Sequence, residues 1–132
     1  MADTMQFDLV SPERSLVSAQ AVEVRIPGSE GDMTAMLNHA AVITTLRPGV
    51  LTVVTETGED DYFVTGGFAE VSPEGTSVLA ERAYAKADMT QDIIDNLVSE
   101  AKEAADGSDA ASKFLSDLIA AGAAVGLDAR VA

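Results

Sequence analysis

The stretch TSVLAERAYAKADMTQDIIDNLVSEA, Thr76 to Ala101, carries two different hydrophobic periods. Its first six residues follow the turn residues Ser72-Pro73-Glu74-Gly75 and read as a short strand. Past Ala87 the apolar residues fall at Met89, Ile93, Leu97 and Ala101, with Ile94, Val98 and Ala105 beside them. That spacing is helical, because positions three and four apart share one face of an α-helix. Asp88 is positioned to cap the first turn, with Gln91 three residues on completing a capping-box-like pair. A change of period near Ala87 divides the chain into a β part, 1–87, and a helical part, 88–132.

Downstream, Asp106-Gly107-Ser108 breaks the helical pattern. Ala111, Phe114, Leu115, Leu118 and Ile119 then restore it, with Gly122 as the expected stop. A connection of a few residues makes the two helices antiparallel neighbours with facing apolar stripes. Upstream, MQFDLV alternates at Met5, Phe7 and Leu9, and AVEVRI at Val22, Val24 and Ile26. VLTVVT follows Arg47-Pro48-Gly49, and YFVT follows an acidic turn over residues 56–61. Strand-like segments about 8–12 residues apart, divided by glycine, proline and acids, predict an antiparallel β-sandwich or barrel. No helical pattern lies between them, which disfavours a parallel sheet with crossover helices. Gly66-Gly67 interrupts FVTGGFAEV and predicts a bulge, a sharp bend or a close backbone approach at a sandwich corner. The expected fold is therefore mainly β with C-terminal α, a sandwich followed by a two-helix antiparallel hairpin.

Composition narrows the function classes. The 132-residue chain is 47% hydrophobic, enough to form a core in one ordinary domain. Its apolar runs are far shorter than the ~20 residues of a membrane span, and its start has neither the basic and apolar regions of a signal peptide nor a transit sequence. A bacterial cytoplasmic location and no direct membrane insertion are the expectations. The absence of cysteine excludes disulfides and thiolate metal sites. The formal charge of −14, with eight scattered basic residues, predicts no nucleic-acid partner and disfavours an anionic membrane surface.

The segment IPGSEGDMTAMLNHAA, Ile26 to Ala41, resembles a phosphate-binding loop only in its glycines. Glu30 and Asp32 occupy the place where phosphate charge would sit, no lysine is present, and Arg25 and Arg47 lie outside the loop. An acidic hairpin turn is the reading that follows. His39 is the only histidine and builds neither a metal site nor a catalytic set. Glu59, Asp60 and Asp61 could supply a weak divalent-ion site or be a solvated turn. No catalytic, cofactor-binding or metal residues are assigned.

The ordered set PGSEGDM…NHA, TTLRPGVL, FVTGGFAEV and VLAERA resembles the epsilon subunit of the bacterial F-type ATP synthase (delta in mitochondria). The resemblance covers nearly all of the β half, and the helix order extends it to the end. It implies a non-catalytic rotor part of the central stalk without a cofactor, peripheral on the cytoplasmic face of the inner membrane. Its implied partners are the gamma subunit, the c-ring and, through the hairpin, the beta subunit. On this resemblance Glu30, Asp32 and Met33 contact the c-ring, and Ser11, His39, Ala40 and Thr44 contact gamma. Ala41 stands where the family has proline.

Two activities found in some family members are not carried over. The ATP-binding pattern, Ile or Leu, Asp, two residues, then Arg-Ala, falls on Met89–Ile94 with Thr90 for the aspartate and Ile93 for the arginine. No arginine occurs between Arg82 and Arg130, so no useful ATP affinity is expected. Inhibitory hairpins are usually basic, whereas from Asp88 onward nine acids stand against Lys102, Lys113 and Arg130, a net of −6. Weak or no inhibition of ATP hydrolysis follows, with the hairpin folded down on the sandwich. An inhibitory regulatory subunit, an unrelated small β-sandwich enzyme or binding module, and a free-standing regulator are the alternatives.

Overall fold

A computed structural model describes residues 3–12 and 14–127. Ten strands come first: β1 (Met5–Ser11), β2 (Arg14–Ala21), β3 (Glu23–Gly28), β4 (Gly31–Met36), β5 (Val42–Leu46), β6 (Gly49–Thr55), β7 (Gly58–Val64), β8 (Gly67–Ser72), β9 (Gly75–Ala80) and β10 (Ala83–Ala85). A single 3-10 turn, Lys86–Asp88, leads to α1 (Gln91–Ala104) and α2 (Asp109–Ala124). The last strand thus ends two residues before the sequence-based boundary at 87. Arg130 lies outside the described residues.

The hydrogen-bonded strand order, β10-β7-β6-β3-β5-β8-β9-β1-β2 with β4 beside β3, folds over at the junction of β3 and β5. One layer is β4-β3-β6-β7-β10 and the other β5-β8-β9-β1-β2. Between them lie Phe7, Leu9, Val24, Ile26, Leu51, Val53, Val71 and Val78, all at most 2% exposed. Alternation selects them: residues two apart share a face, so every second side chain enters the core. Pairing is antiparallel as expected except for β1 with β9, which is parallel from Gln6↔Gly75 to Val10↔Leu79. Those strands are far apart in sequence, so no short turn dictates their direction.

The chain changes layer at corners. Gly66, with φ of +149°, lies between β7 and β8, and Gly67, at +124°, opens β8. A Cβ on Gly67 would sit 2.0 Å from the carbonyl oxygen of Leu79, so the glycine permits the expected close approach of two backbones. The return runs through Glu81 and Arg82, whose backbone bonds to Gly66 and Thr65 close the corner. A third crossing, at Arg47-Pro48, carries β5 into β6.

Several local expectations are corrected. The acidic turn shrinks to Glu56-Thr57, and Glu59, Asp60 and Asp61 belong to β7. Partners across the strands and beyond them make this possible: Thr52 Oγ1 donates to Asp61 at 2.7 Å, and Arg25 lies 3.6 Å from Glu59. Thr90, not Asp88, caps α1: its extended backbone lets Oγ1 accept from Ile93 N–H at 3.2 Å, while Asp88 is held in the 3-10 turn. α2 passes Gly122 and ends at Ala124. There the N–H groups of Gly126 and Leu127 bond to the carbonyls of Ala123 and Gly122, with Gly126 at φ +81°. This is the Schellman arrangement, and its left-handed glycine is Gly126.

The hairpin packs on the outer face of the first layer. Ile94, Leu97, Val98, Leu118 and Ala121 form a second core with Phe63 of β7, flanked by Tyr84 of β10. α2 lies against β6 and α1 against α2. Phe63, on the face of β7 turned away from the central core, is 0% exposed only because the helices cover it.

Candidate docking surfaces

The two outer faces of the sandwich end up in opposite conditions. The first is closed by the hairpin, with the Arg82 guanidinium 2.7 Å from the Glu100 carboxylate tying corner to α1. That hydrogen bond raises the Arg82 pKa, partly opposed by burial. Among the described residues nothing covers the outer face of the second layer. On it Ile43 is 71% exposed, Phe68 55% and Leu79 50%. The register brings Phe68 and Leu79 together: Thr45 pairs with Phe68, Phe68 with Leu79, and Leu79 with Val10, one row across four strands, while Ile43 lies two residues along β5 opposite Glu70. Isolated exposed apolar residues are ordinary, but a contiguous row is a candidate interaction site.

The β3–β4 hairpin is a second candidate. Its turn is only Ser29 and Glu30, between Gly28 and Gly31, which pair across it. Glu30 and Asp32 are exposed at this tip, whereas Met33 turns inward and packs against the central core. Arg47 comes back onto the tip, pairing with Asp32 and donating to the Gly28 carbonyl at 2.6 Å. Sequence reasoning placed Arg47 outside the loop; the corner at Arg47-Pro48 is what returns it. Ser29 and Thr45 hydroxyls meet at 2.6 Å and brace the tip against β5.

The four other singled-out residues do not form one patch. Ser11 ends β1 and its hydroxyl donates to the Arg14 carbonyl at 3.4 Å. His39 lies in the loop after β4, with Nδ1 2.6 Å from the Ala40 carbonyl and its N–H on the Met36 carbonyl. Ala40 beside it is exposed. Thr44 shares the register of buried Ala69 and Val78, so it points to the inner side and is half-buried. Thr45, Ile43, Phe68 and Leu79 take the outward positions, and sequence reasoning did not select them. VITTL shows no clean apolar–polar alternation, so its phase could not be read from the sequence; only Leu46 at its end is buried.

Among the described residues no three His, Asp or Glu side chains converge as a metal site. Asp61 faces Thr52 and Lys86, while Glu59 faces Arg25, whose pKa the Glu23 hydrogen bond raises. Burial, with a smaller contribution from Asp60, raises the Tyr62 pKa. No described helix is long and apolar enough to cross a membrane.

Residues 4–86 match the family model for the ATP synthase, Delta/Epsilon chain, beta-sandwich domain. The chain is 55% identical over 132 residues to the ATP synthase epsilon chain of Rhodobacter capsulatus, covering 96% of this chain and 100% of that one. It is 47% identical over 140 residues to the ATP synthase epsilon chain of Paracoccus denitrificans, covering 97% and 95%. Among solved structures, a chain of the Euglena gracilis mitochondrial ATP synthase, OSCP/F1/c-ring in rotational state 1, superposes with a TM-score of 0.67. It shares 22% identity and covers 89% of this chain and 81% of its own, a likeness of fold.

Proposed function

Since this chain belongs to the ATP synthase delta/epsilon family, a non-catalytic subunit of that complex, we propose that it is the foot of the central-stalk rotor. It grips gamma with residues 1–87 and rests on the c-ring, coupling proton flow to ATP synthesis from the cytoplasmic face of the bacterial inner membrane. The observation that carries this reading is the exposed row Thr45-Phe68-Leu79-Val10, apolar at Phe68, Leu79 and Val10, with Ile43 beside it. A folded chain of charge −14 gains nothing from such a row in water; buried under a neighbour, each large side chain contributes about 1.5–3 kcal/mol. Mechanically, the row gives grip, and the acidic tip with Glu30 and Asp32 gives orientation.

The Asp32–Arg47 pair adds a refinement. An exposed pair is worth only ~0–1 kcal/mol, so a cationic group on the c-ring loops exchanges with Arg47 at low cost. Arg47 meanwhile holds the tip in shape through the Gly28 carbonyl. The hairpin stays down on the first layer, and residues 88–132 inhibit ATP hydrolysis weakly or not at all. The apolar cluster around Phe63 and the acidic outer surface support this. ATP finds no arginine on these helices, and Lys113 is already 2.6 Å from Asp117.

Phe68→Glu and Leu79→Glu test the reading. Both side chains are at least half exposed, so the isolated variants melt like the parent. Each weakens binding to purified gamma about tenfold or more, as read by calorimetry. Unchanged affinity in both variants overturns the assignment of this face.

A further inference from the structure

Resting on the proposal that this face docks gamma, we propose that the free edge of β5 takes up an extended segment of gamma by strand addition. Backbone direction identifies the edge. The Ser29 N–H bonds to the Thr45 carbonyl at 2.9 Å, and the Arg47 N–H to the Pro27 carbonyl at 3.0 Å. The polar groups of residues 45 and 47 therefore point toward β3. Peptide groups alternate sides along a strand. Val42, Thr44 and Leu46 thus face β8, and the N–H and C=O of Ile43 face the same side as those of Thr45. There β3 touches β5 only at Gly28↔Leu46 before the two layers part. No described strand pairs with Ile43 on that side.

The other edges carry the usual protections against pairing. β10 is three residues long. β2 bears Arg14, Ser15, Ser18 and Gln20, and its pairing with β1 is broken by a register shift at Leu9/Val10. β4 carries Gly31, Asp32 and Thr34 along its length. β5 reads VITTL, with no charge, proline or glycine. Its outward side chain Ile43 is 71% exposed, opposite Glu70 and one diagonal position from Phe68 of the Phe68–Leu79 row. An incoming strand would satisfy the Ile43 peptide groups and lay alternate apolar side chains on that row. Main-chain bonds and side-chain pockets divide the work in this way whenever a strand is added to a sheet edge.

Amide hydrogen exchange of the full chain, alone and in complex with purified gamma, is the test. The Ile43 amide exchanges freely in the chain alone and at least about tenfold more slowly in the complex. Val42 and Thr44, already bonded toward β8, serve as internal references. Ile43→Pro removes only the outward N–H, which an edge position tolerates. It weakens the complex about tenfold beyond Ile43→Ala, the loss of a main-chain bond whose partner stays buried. A complex that forms with the Ile43 amide still unprotected, or with the proline variant no worse than alanine, overturns strand addition and leaves the docking face standing. Failure of the parent chain to bind gamma, or indifference to Phe68→Glu and Leu79→Glu, removes the docking face and strand addition with it.

Discussion

Gly67→Ala is the substitution that best isolates how the sandwich is closed. Gly31→Ala is its control: Gly31 has a φ of +136°, and a Cβ there meets nothing within 4 Å. Its cost is torsional, about 1–2 kcal/mol, reduced slightly by the stiffer unfolded chain. Gly67 carries the same torsional penalty at +124°, and its Cβ would also lie 2.0 Å from the Leu79 oxygen and 2.9 Å from the Ala80 Cα. Relieving that overlap moves β8 away from β9 by more than an ångström. The Gly67↔Ala80 and Leu46↔Gly67 pairings are lost with it. Two ladder bonds at about 0.5–1.5 kcal/mol each, added to the torsion and to core strain, bring the cost to about 3–5 kcal/mol. At this chain length that corresponds to roughly 10–15 °C in Tm. Urea unfolding of the two variants beside the parent measures the difference. If Gly67→Ala falls within about 0.5 kcal/mol of Gly31→Ala, the corner is not a close approach and the account of the glycine pair is wrong.

The remaining predictions concern assembly and the hairpin. Asp32→Lys removes an exposed pair worth ~0–1 kcal/mol, so the chain keeps its fold; the assembled synthase binds its c-ring less well, and undiminished coupled proton pumping would refute the contact. Removal of residues 88–132 leaves the ATPase rate of the complex almost unchanged, while the isolated chain, with Phe63 and Tyr84 uncovered, loses solubility or melting temperature. A several-fold rise in ATPase would show that the hairpin inhibits. Leu118→Ala, at a residue 1% exposed, costs about 2–5 kcal/mol at the helix–sheet contact. Limited proteolysis should then cut first near Asp106-Gly107-Ser108, and cuts appearing first in the sandwich would contradict two separate cores.

What the linear pattern exposed depends on how each strand is buried. β1, β3, β6 and β9 present one face to the central core, so their alternation was visible. β2, β4 and β5 escaped notice because they are edge strands: much of each is exposed, and its apolar residues do not separate cleanly from its polar ones. The acids Glu59, Asp60 and Asp61 suggested a turn because β-propensity ignores partners such as Thr52, Arg25 and Lys86. The helices were legible as a hairpin, but their ends were misplaced by a few residues, since Thr90 and Gly126 cap through geometry that composition alone does not rank. For the contact surfaces, Glu30 and Asp32 were found at an exposed tip, while Met33 and Thr44 were chosen by position in a pattern and turn inward.

By itself the amino-acid order determined the change of period near Ala87, the sandwich-then-hairpin class, the acidic surface and the family. These are properties of local spacing and charge, and they need no knowledge of which strand meets which. Only the tertiary structure decided that the helices cover Phe63, that Arg47 returns to Asp32, and that Ile43, Phe68 and Leu79 stand together uncovered. Each depends on pairing between residues distant along the chain. A one-residue change of register would turn every side chain of a strand to the opposite face, so the surface that meets a partner exists only once the sheet has formed.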